Sequence, residues 1–242
     1  MNLVIDSGNT FVKFAIFQKE EEVFFDRIKL LDFLASIKKI FENFPNITHA
    51  IVSSVGALNK DDIEALKLLC TVHLLNHNSK IPFKNLYKTP KTLGVDRIAL
   101  TTAAFYQNKN RNSLVIDAGT CITFDFIKAD GTYLGGAISP GITMRYKAMH
   151  QQTSKLPLLE KNNTFNLIGN TTASSMHSGV VNGVCLEIDG VIERYKSLYK
   201  DLTVILTGGD ALFLSKRTKN TIFANPKFLL EGLNHLLEYN KN

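Results

Sequence analysis

The sequence predicts an α/β fold with mixed sheets, written as two similar halves, and three observations lead there. Leu3-Val4-Ile5-Asp6 recurs about half the chain later as Leu114-Val115-Ile116-Asp117, and in both copies Gly and Thr follow within a few residues. Each copy runs on into a second apolar segment, Phe11 to Phe17 and Cys121 to Ile127. In both halves a run of three strand-like segments then gives way to alternating helical and strand-like patterns, as expected of an α/β architecture.

Leu3 to Ile5, Phe11 to Phe17 and Val23 to Ile28 are three short strands separated by turns. Leu30 to Phe44 carries apolar residues at helical spacing (Phe33, Leu34, Ile37, Ile40, Phe41, Phe44) and is stopped by Pro45-Asn46. His49 to Val55 is a buried strand, Asp61 to Leu69 a helix capped near Asn59 or Asp61, and Val72 to Leu75 a short strand. Lys80 to Leu93, polar and with two prolines, is a surface excursion, and Asp96 to Tyr106 is helical. The polar run Asn108 to Asn112 marks the boundary between an N-terminal half, 1–112, and a C-terminal half, 113–242. The second half opens with strands Leu114 to Asp117, Cys121 to Ile127 and Tyr133 to Ile138, the last two joined by an Asp130-Gly131 turn. Ile142 to Gln151 is helical and Ser154 to Gly169 irregular. Thr172 to Tyr195 is one long helix, with Gly179 and Gly183 expected where a neighbour packs closely. Val204 to Leu206 is a strand leading through Thr207-Gly208-Gly209-Asp210 into a helix from Ala211, and Pro226 sits in the first turn of a closing helix to Tyr239.

A chain of 242 residues with 45% hydrophobic and 21% charged residues can bury one large core or two moderate ones. The net charge of +6 is spread along the chain rather than gathered in a stripe, which argues against a nucleic-acid partner and suits a cleft that attracts anionic phosphates. Three separated cysteines, with no Cys-x-x-Cys pair, argue against a disulfide framework or a zinc site. No signal-like leader or membrane-spanning run is evident, so the expectation is a cytoplasmic protein without a membrane partner. The six histidines are scattered, and none is assigned to catalysis.

The repeated turn has a definite chemistry. Gly lets the backbone approach a ligand closely, successive N–H groups make an anion nest, and a Thr hydroxyl adds a donor. A carboxylate beside that nest would repel phosphate unless it holds a bridging cation. Either copy alone could be a plain hairpin turn; two copies on the same preceding strand favour a ligand site. Gly94-Val95-Asp96-Arg97 opens a helix, and Asp96 is either a cap or a carboxylate placed to take a hydroxyl proton while Arg97 receives an anionic group. Gly135-Gly136-Ala137-Ile138-Ser139-Pro140-Gly141 is a Gly-rich strand exit whose amides suit polar or anionic groups. Gly169-Asn170-Thr171-Thr172 precedes the long helix, where Thr172 is a plain N-cap or a hydroxyl aimed into the cleft. Thr207-Gly208-Gly209-Asp210 has the form of a nucleotide-contact turn.

Taken in order, Asp6 to Thr10, Gly94 to Arg97, Asp117 to Thr120, Gly135 to Gly141 and Thr207 to Asp210 resemble the type III pantothenate kinases, of the actin/hexokinase/Hsp70-like superfamily, over nearly the full chain. The resemblance implies duplicated ribonuclease H-like (actin-like ATPase) domains with a cleft between them. It implies transfer of the ATP γ-phosphate to pantothenate, the first step towards coenzyme A, by a phosphotransferase with an alcohol acceptor. By the same resemblance, Asp6, Ser7, Gly8, Asn9, Thr10, Phe11, Val12 and Lys13 form the first phosphate-binding turn, and Thr120, Gly208 and Gly209 also contact ATP. Asp96 is the general base; Tyr87, Gly94, Val95, Asp96, Arg97 and Thr172 bind pantothenate. Asp117 holds a monovalent cation, K+ or NH4+, and Asp6 is the place for Mg2+ held through water. The family is homodimeric. The alternatives are a nucleotide-binding accessory protein of the same fold, or a kinase for another small hydroxylated acceptor.

Overall fold

A computed structural model of the chain describes residues 1–8, 11–53, 58–162 and 166–241. Three strands come first: β1 (Asn2–Ser7), β2 (Phe11–Gln18) and β3 (Glu21–Lys29). They are followed by α1 (Phe33–Asn43), β4 (His49–Ser53), α2 (Lys60–Lys67), β5 (Thr71–Leu74), the two-residue β6 (Lys84–Asn85) and α3 (Val95–Gln107). Then come β7 (Asn112–Ala118), β8 (Cys121–Ile127), β9 (Thr132–Pro140), α4 (Ile142–Gln152), α5 (Thr172–His177), α6 (Gly183–Leu198), β10 (Leu202–Thr207), α7 (Ala211–Ser215), β11 (Phe223–Ala224) and α8 (Phe228–Asn240). Residues 54–57, which include the end of the strand expected over His49 to Val55, lie outside the described residues. No helix among the described residues is long and apolar enough to cross a membrane.

The chain divides into two compact units, Met1–Lys109 with Phe228–Asn242, and Asn110–Lys227. In the first, strands run in the order β3-β2-β1-β4-β5, antiparallel on the β3 side of β1 and parallel on the β4 side. In the second, β9-β8-β7-β10-β11 repeats that order and those directions strand for strand. The antiparallel ladders even share a register shift, at Ile16/Phe17 and at Phe126/Ile127. The mixed sheets expected from the repeated Leu-Val-Ile-Asp segments are thus present twice.

Local chemistry explains the elements. Phe33, Ile37 and Ile40 line one face of α1 and are buried on a core that includes Leu3, Ile5 and Phe14. Asn59 caps α2 in a reciprocal box with Asp62. The outer strand β3 is largely exposed and carries Glu21, Asp26, Arg27 and Lys29, which discourages further strand pairing. In the second unit Ile116, Phe124, Tyr146, Val184 and Ile188 meet in one buried core. Gly131 adopts a positive φ of 77° at the expected turn, where its N–H donates to Lys128 O at 2.9 Å.

Three expectations need correction. The closing helix lies in the C-terminal half 113–242 of the sequence division, but α8 packs against α3 in the first unit. Gly232 permits this: a β-carbon there would meet Ala99 O at 2.0 Å. The anchoring is also polar, since Asn2 Nδ2 donates to Asn234 Oδ1 (2.7 Å) and Glu238 Oε1 (2.6 Å), while Asn234 Nδ2 donates to Lys19 O (2.8 Å). Pro226 precedes α8 instead of joining its first turn; the Asn225 side chain accepts from Lys227 N at 2.9 Å and forms the lead-in. The long helix expected over Thr172 to Tyr195 is interrupted by a π-turn at Ser178–Asn182, and Gly179 and Gly183 face open space, with nothing within 4 Å of an added β-carbon.

Candidate active site

In the first unit the site grows from the β1–β2 hairpin. The ladder sets Asp6 opposite Lys13, and Lys13 Nζ lies 3.3 Å from Asp6 Oδ2. On the other side β4 sets Ser53 beside Asp6, and Ser53 Oγ donates to Asp6 Oδ1 at 2.9 Å. The carboxylate, 16% exposed, is therefore held in one orientation by an ammonium and a hydroxyl. Gly8 N donates to Phe11 O at 3.0 Å and closes the turn. Ser7 and Val12 are buried, so any contact they make with a phosphate is a main-chain one, and Phe11 lies under the Arg27 guanidinium, 3.9 Å from its ring centre. Asn9 and Thr10, both assigned to ATP by the resemblance, lie outside the described residues.

Gly94 is the N-cap of α3, and no side chain caps that helix. Asp96 is exposed at the second helical position, so it is not the cap that its place in the sequence allowed. A β-carbon on Gly94 would sit 2.3 Å from Asp96 Oδ1, which makes glycine the residue that leaves this carboxylate its place. Arg97 is 5% exposed, and its guanidinium carbon stands 5.7 Å from the centre of the Tyr87 ring. Two residues expected to seat the acceptor are thus neighbours, although ten positions separate them. Val95, the first helical residue after the Gly94 cap, is half-buried.

In the second unit the β7–β8 hairpin sets Asp117 opposite Thr123, and β10 sets Thr207 beside it. Gly119 N donates to Cys121 O at 2.9 Å, Thr120 is exposed at the tip, and Gly141 N donates to Thr120 O at 3.0 Å. Gly141 must be glycine for that seat, since a β-carbon would fall 2.2 Å from Gly119 O. Gly136 has a sheet role: its β-carbon would overlap Phe124 O at 1.5 Å. Gly208 has φ +92° and approaches Asp117 so closely that a β-carbon would lie 2.3 Å from Oδ1 and 2.4 Å from Ala118 O. Asp210 N donates to Ala118 O at 2.9 Å, which fastens the Gly208-Gly209 turn to the hairpin, and the buried Asp210 carboxylate pairs with Lys161. Gly209 is exposed with open space around it.

Thr171, not Thr172, caps α5, in a reciprocal box with Ser174. Thr172 is exposed at the first helical position and lines an open hollow of about 800 Å³ with Gly169, Asn170, Thr171, Ser175 and Met176. Its hydroxyl is therefore available to a ligand. Sequence reasoning missed Ser53, Thr123 and Lys161, and it named Thr207 only as part of the nucleotide-contact turn, not as a neighbour of Asp117. Only the strand register or a long-range contact brings them to the assigned residues, and no local pattern announces them.

Two units of one strand order, each with an acidic hairpin at the same register, define a duplicated actin-like fold. A glucokinase from an Antarctic psychrotroph is similar in fold, with a TM-score of 0.54, 15% identity and 98% of each chain covered. The family model for type III pantothenate kinase matches residues 2–194. A type III pantothenate kinase from Christiangramia forsetii is 49% identical over 245 residues, covering 100% of this chain and 99% of the relative. One from Flavobacterium johnsoniae is 47% identical over 239 residues, covering 99% and 98%. The chain belongs to the type III pantothenate kinase family.

Proposed function

We propose that this chain phosphorylates pantothenate with ATP to give 4'-phosphopantothenate, the opening reaction of coenzyme A biosynthesis. Full-length kinship with type III pantothenate kinases carries this reading. The geometry of Gly94 to Arg97 supports the assignment of parts. Asp96 is exposed and not engaged as a helix cap, so it serves as the base that takes the proton of the primary hydroxyl. Arg97 and Tyr87 form one face that receives the acceptor's carboxylate and apolar body. The exposed Thr172 hydroxyl adds a contact to pantothenate. Phosphoryl transfer asks chiefly for positioning and charge neutralisation, and a weak carboxylate base suffices when the proton leaves late.

The nucleotide is the task of the two hairpins. The turn from Asp6 to Lys13 offers main-chain donors and the Lys13 ammonium to phosphates, with Thr120, Gly208 and Gly209 contacting ATP in the second unit. Asp6 fits a hydrated Mg2+, since Lys13 and Ser53 hold its oxygens in fixed directions. Asp117 is the residue assigned to K+ or NH4+: the strand register sets the hydroxyl residues Thr123 and Thr207 beside it, and Thr123 Oγ1 is buried with no hydrogen-bond partner among the described residues. Bound there, such cations would neutralise charge on the triphosphate.

We further infer a cytoplasmic homodimer. The exposed side of α5 through α6 bears Gly179, Gly183, Leu186 and Gly190 at helical spacing, and the three glycines have open space above them. A second helix can approach such a face closely.

Purified protein with ATP, MgCl2, KCl and pantothenate is expected to form phosphopantothenate. Phosphorylation of a sugar or acetate instead, with pantothenate untouched, would show the acceptor to be wrong. Asp96→Asn is expected to lower kcat by roughly 10²–10⁴-fold with the fold retained; unchanged turnover removes Asp96 from the mechanism.

A further inference from the structure

The tip of the β7–β8 hairpin lies beyond the last paired residues of its ladder, Ala118 and Ile122. Within the tip Gly119 N donates to Cys121 O at 2.9 Å, and the Thr120 carbonyl accepts from Gly141 N at 3.0 Å. Gly141 ends the glycine-rich exit of β9 and is the N-cap of α4. The approach is close: a β-carbon on Gly141 would fall 2.2 Å from Gly119 O and 2.5 Å from Thr120 O. The exposed Thr120 is thus placed by the exit of β9 as well as by its own hairpin.

One side chain fixes that exit. Arg145 on α4 donates from Nε to Pro140 O at 2.9 Å and from Nη2 to Ser139 Oγ at 2.9 Å, and Nη2 also pairs with Glu187 on α6. Pro140 precedes the cap of α4, so no amide of the helix reaches its carbonyl; Arg145 supplies the donor. Pro140 C=O and Gly141 N–H belong to one planar peptide group. Arg145 therefore grips one side of a rigid plate whose other side holds Thr120. Turning the plate would break both bonds. The supports are firm, since Tyr146 beside Arg145, and Val184 and Ile188 on either side of Glu187, are fully buried in the core of this unit. A guanidinium presents its donors in a fixed fork and can hold a carbonyl, a hydroxyl and a carboxylate together, which a lysine ammonium on a flexible stem does not reproduce.

We propose that Arg145 is a positioning residue for ATP: it holds the Pro140–Gly141 peptide plane, and through it the place at which the Thr120 hydroxyl meets the nucleotide. Glu187 orients the guanidinium for this task. The proposal rests on the reading that Thr120 contacts ATP, and it gives the Gly135 to Gly141 segment a part in nucleotide binding.

The test uses the full chain with Thr120→Ala, Arg145→Ala, Arg145→Lys and the double variant Thr120→Ala/Arg145→Ala. ATP affinity is read by isothermal titration in MgCl2 and KCl, beside the KM for pantothenate at saturating ATP. Thr120→Ala is expected to weaken ATP binding roughly three- to tenfold, the worth of one hydrogen bond. Arg145→Ala is expected to lose a similar factor with the KM for pantothenate unmoved, and Arg145→Lys to recover only part of it. In the double variant the two losses are expected not to add, because the Thr120 hydroxyl is already misplaced once the peptide plane is released. Additive losses overturn the proposal, and so does wild-type ATP binding in Arg145→Ala while Thr120→Ala is weakened; both leave the Thr120 contact standing. Equal losses for ATP and pantothenate would mark Arg145 as a general support of the unit and overturn it too. If Arg145→Ala does not fold, Glu187→Gln paired with Thr120→Ala decides by the same comparison. Wild-type ATP binding in Thr120→Ala defeats the reading beneath the proposal, and the proposal with it.

Discussion

Gly94 and Asp96 are coupled through space: a β-carbon on the first would stand 2.3 Å from a carboxylate oxygen of the second. The cap of α3 thus has no side chain because the carboxylate two residues on occupies that volume. Gly94→Ala is expected to turn the Asp96 carboxylate aside. A displacement of about 1 Å at a reacting group can cost on the order of 10²-fold in rate. The predicted outcome is a kcat reduced at least tenfold, with a Tm close to wild type. Steady-state kinetics beside a thermal melt tests this; an alanine variant of full activity refutes the coupling.

Ser53 fixes the Asp6 carboxylate by a hydrogen bond of 2.9 Å from a strand distant in sequence. Bonds to charged groups contribute about 1.5–3 kcal/mol, and about 1.4 kcal/mol is a tenfold change in affinity. Ser53→Ala is therefore expected to weaken ATP binding roughly tenfold and to leave the KM for pantothenate unmoved, with Ser53→Thr restoring part of the loss. Isothermal titration with ATP and MgCl2 reads the first quantity. Equal losses for both substrates would point to general damage instead.

Gly232 on α8 is a residue for which helix propensity and packing make opposite predictions. Alanine in a helix interior is favoured over glycine by about 1 kcal/mol. Here its methyl would enter the Ala99 carbonyl, 2.0 Å away, and a backbone atom in a packed helix cannot swing aside as a side chain can. Overpacking of this kind costs about 1–3 kcal/mol, so packing prevails. Gly232→Ala is expected to lower the urea midpoint, and Gly232→Leu to lower it further; a midpoint raised by the alanine would mean that α8 shifts freely on α3.

The pH dependence of stability has a defined sign. His235 is stacked on Tyr106, with ring centres 4.5 Å apart, and burial pulls its pKa below 6.5 against the raising influence of Glu20, Glu231 and Glu238. Burial also lowers His73. With the folded pKa depressed, the unfolded chain binds more protons just below pH 6.5, so this contribution is complete above 6.5 and is lost as pH falls through the folded pKa. Melting temperatures between pH 7.5 and 5 are expected to drop on the acid side. His235→Phe, which keeps the ring stack, is expected to drop less. A variant as acid-sensitive as the wild type would rule His235 out as a source.

Much of this was legible along the chain. The span Cys121 to Ile127 is a strand over those same residues, and α1, α3 and α4 fall within a few residues of their apolar patterns, because periodicity and turn composition are local properties. Thr172 shows where local reading stops: Thr171 and Thr172 are equally good caps by type, and only the folded turn gives the bond from Ser174 N to Thr171. Gly179 and Gly183 had the spacing of a packed face and turn out to look onto open space within this chain.

The sequence by itself determined the repeated acidic hairpins, the alternation of strands and helices, and the family to which Gly94 to Arg97 points. Tertiary structure alone decided which side chains flank the two acidic residues and that the last helix returns to the first unit. The reason is physical. Strand register is non-local, and a slip of one residue would turn every side chain to the other face. No local pattern could therefore announce that Lys13 and Ser53 meet Asp6 while Thr123 and Thr207 meet Asp117.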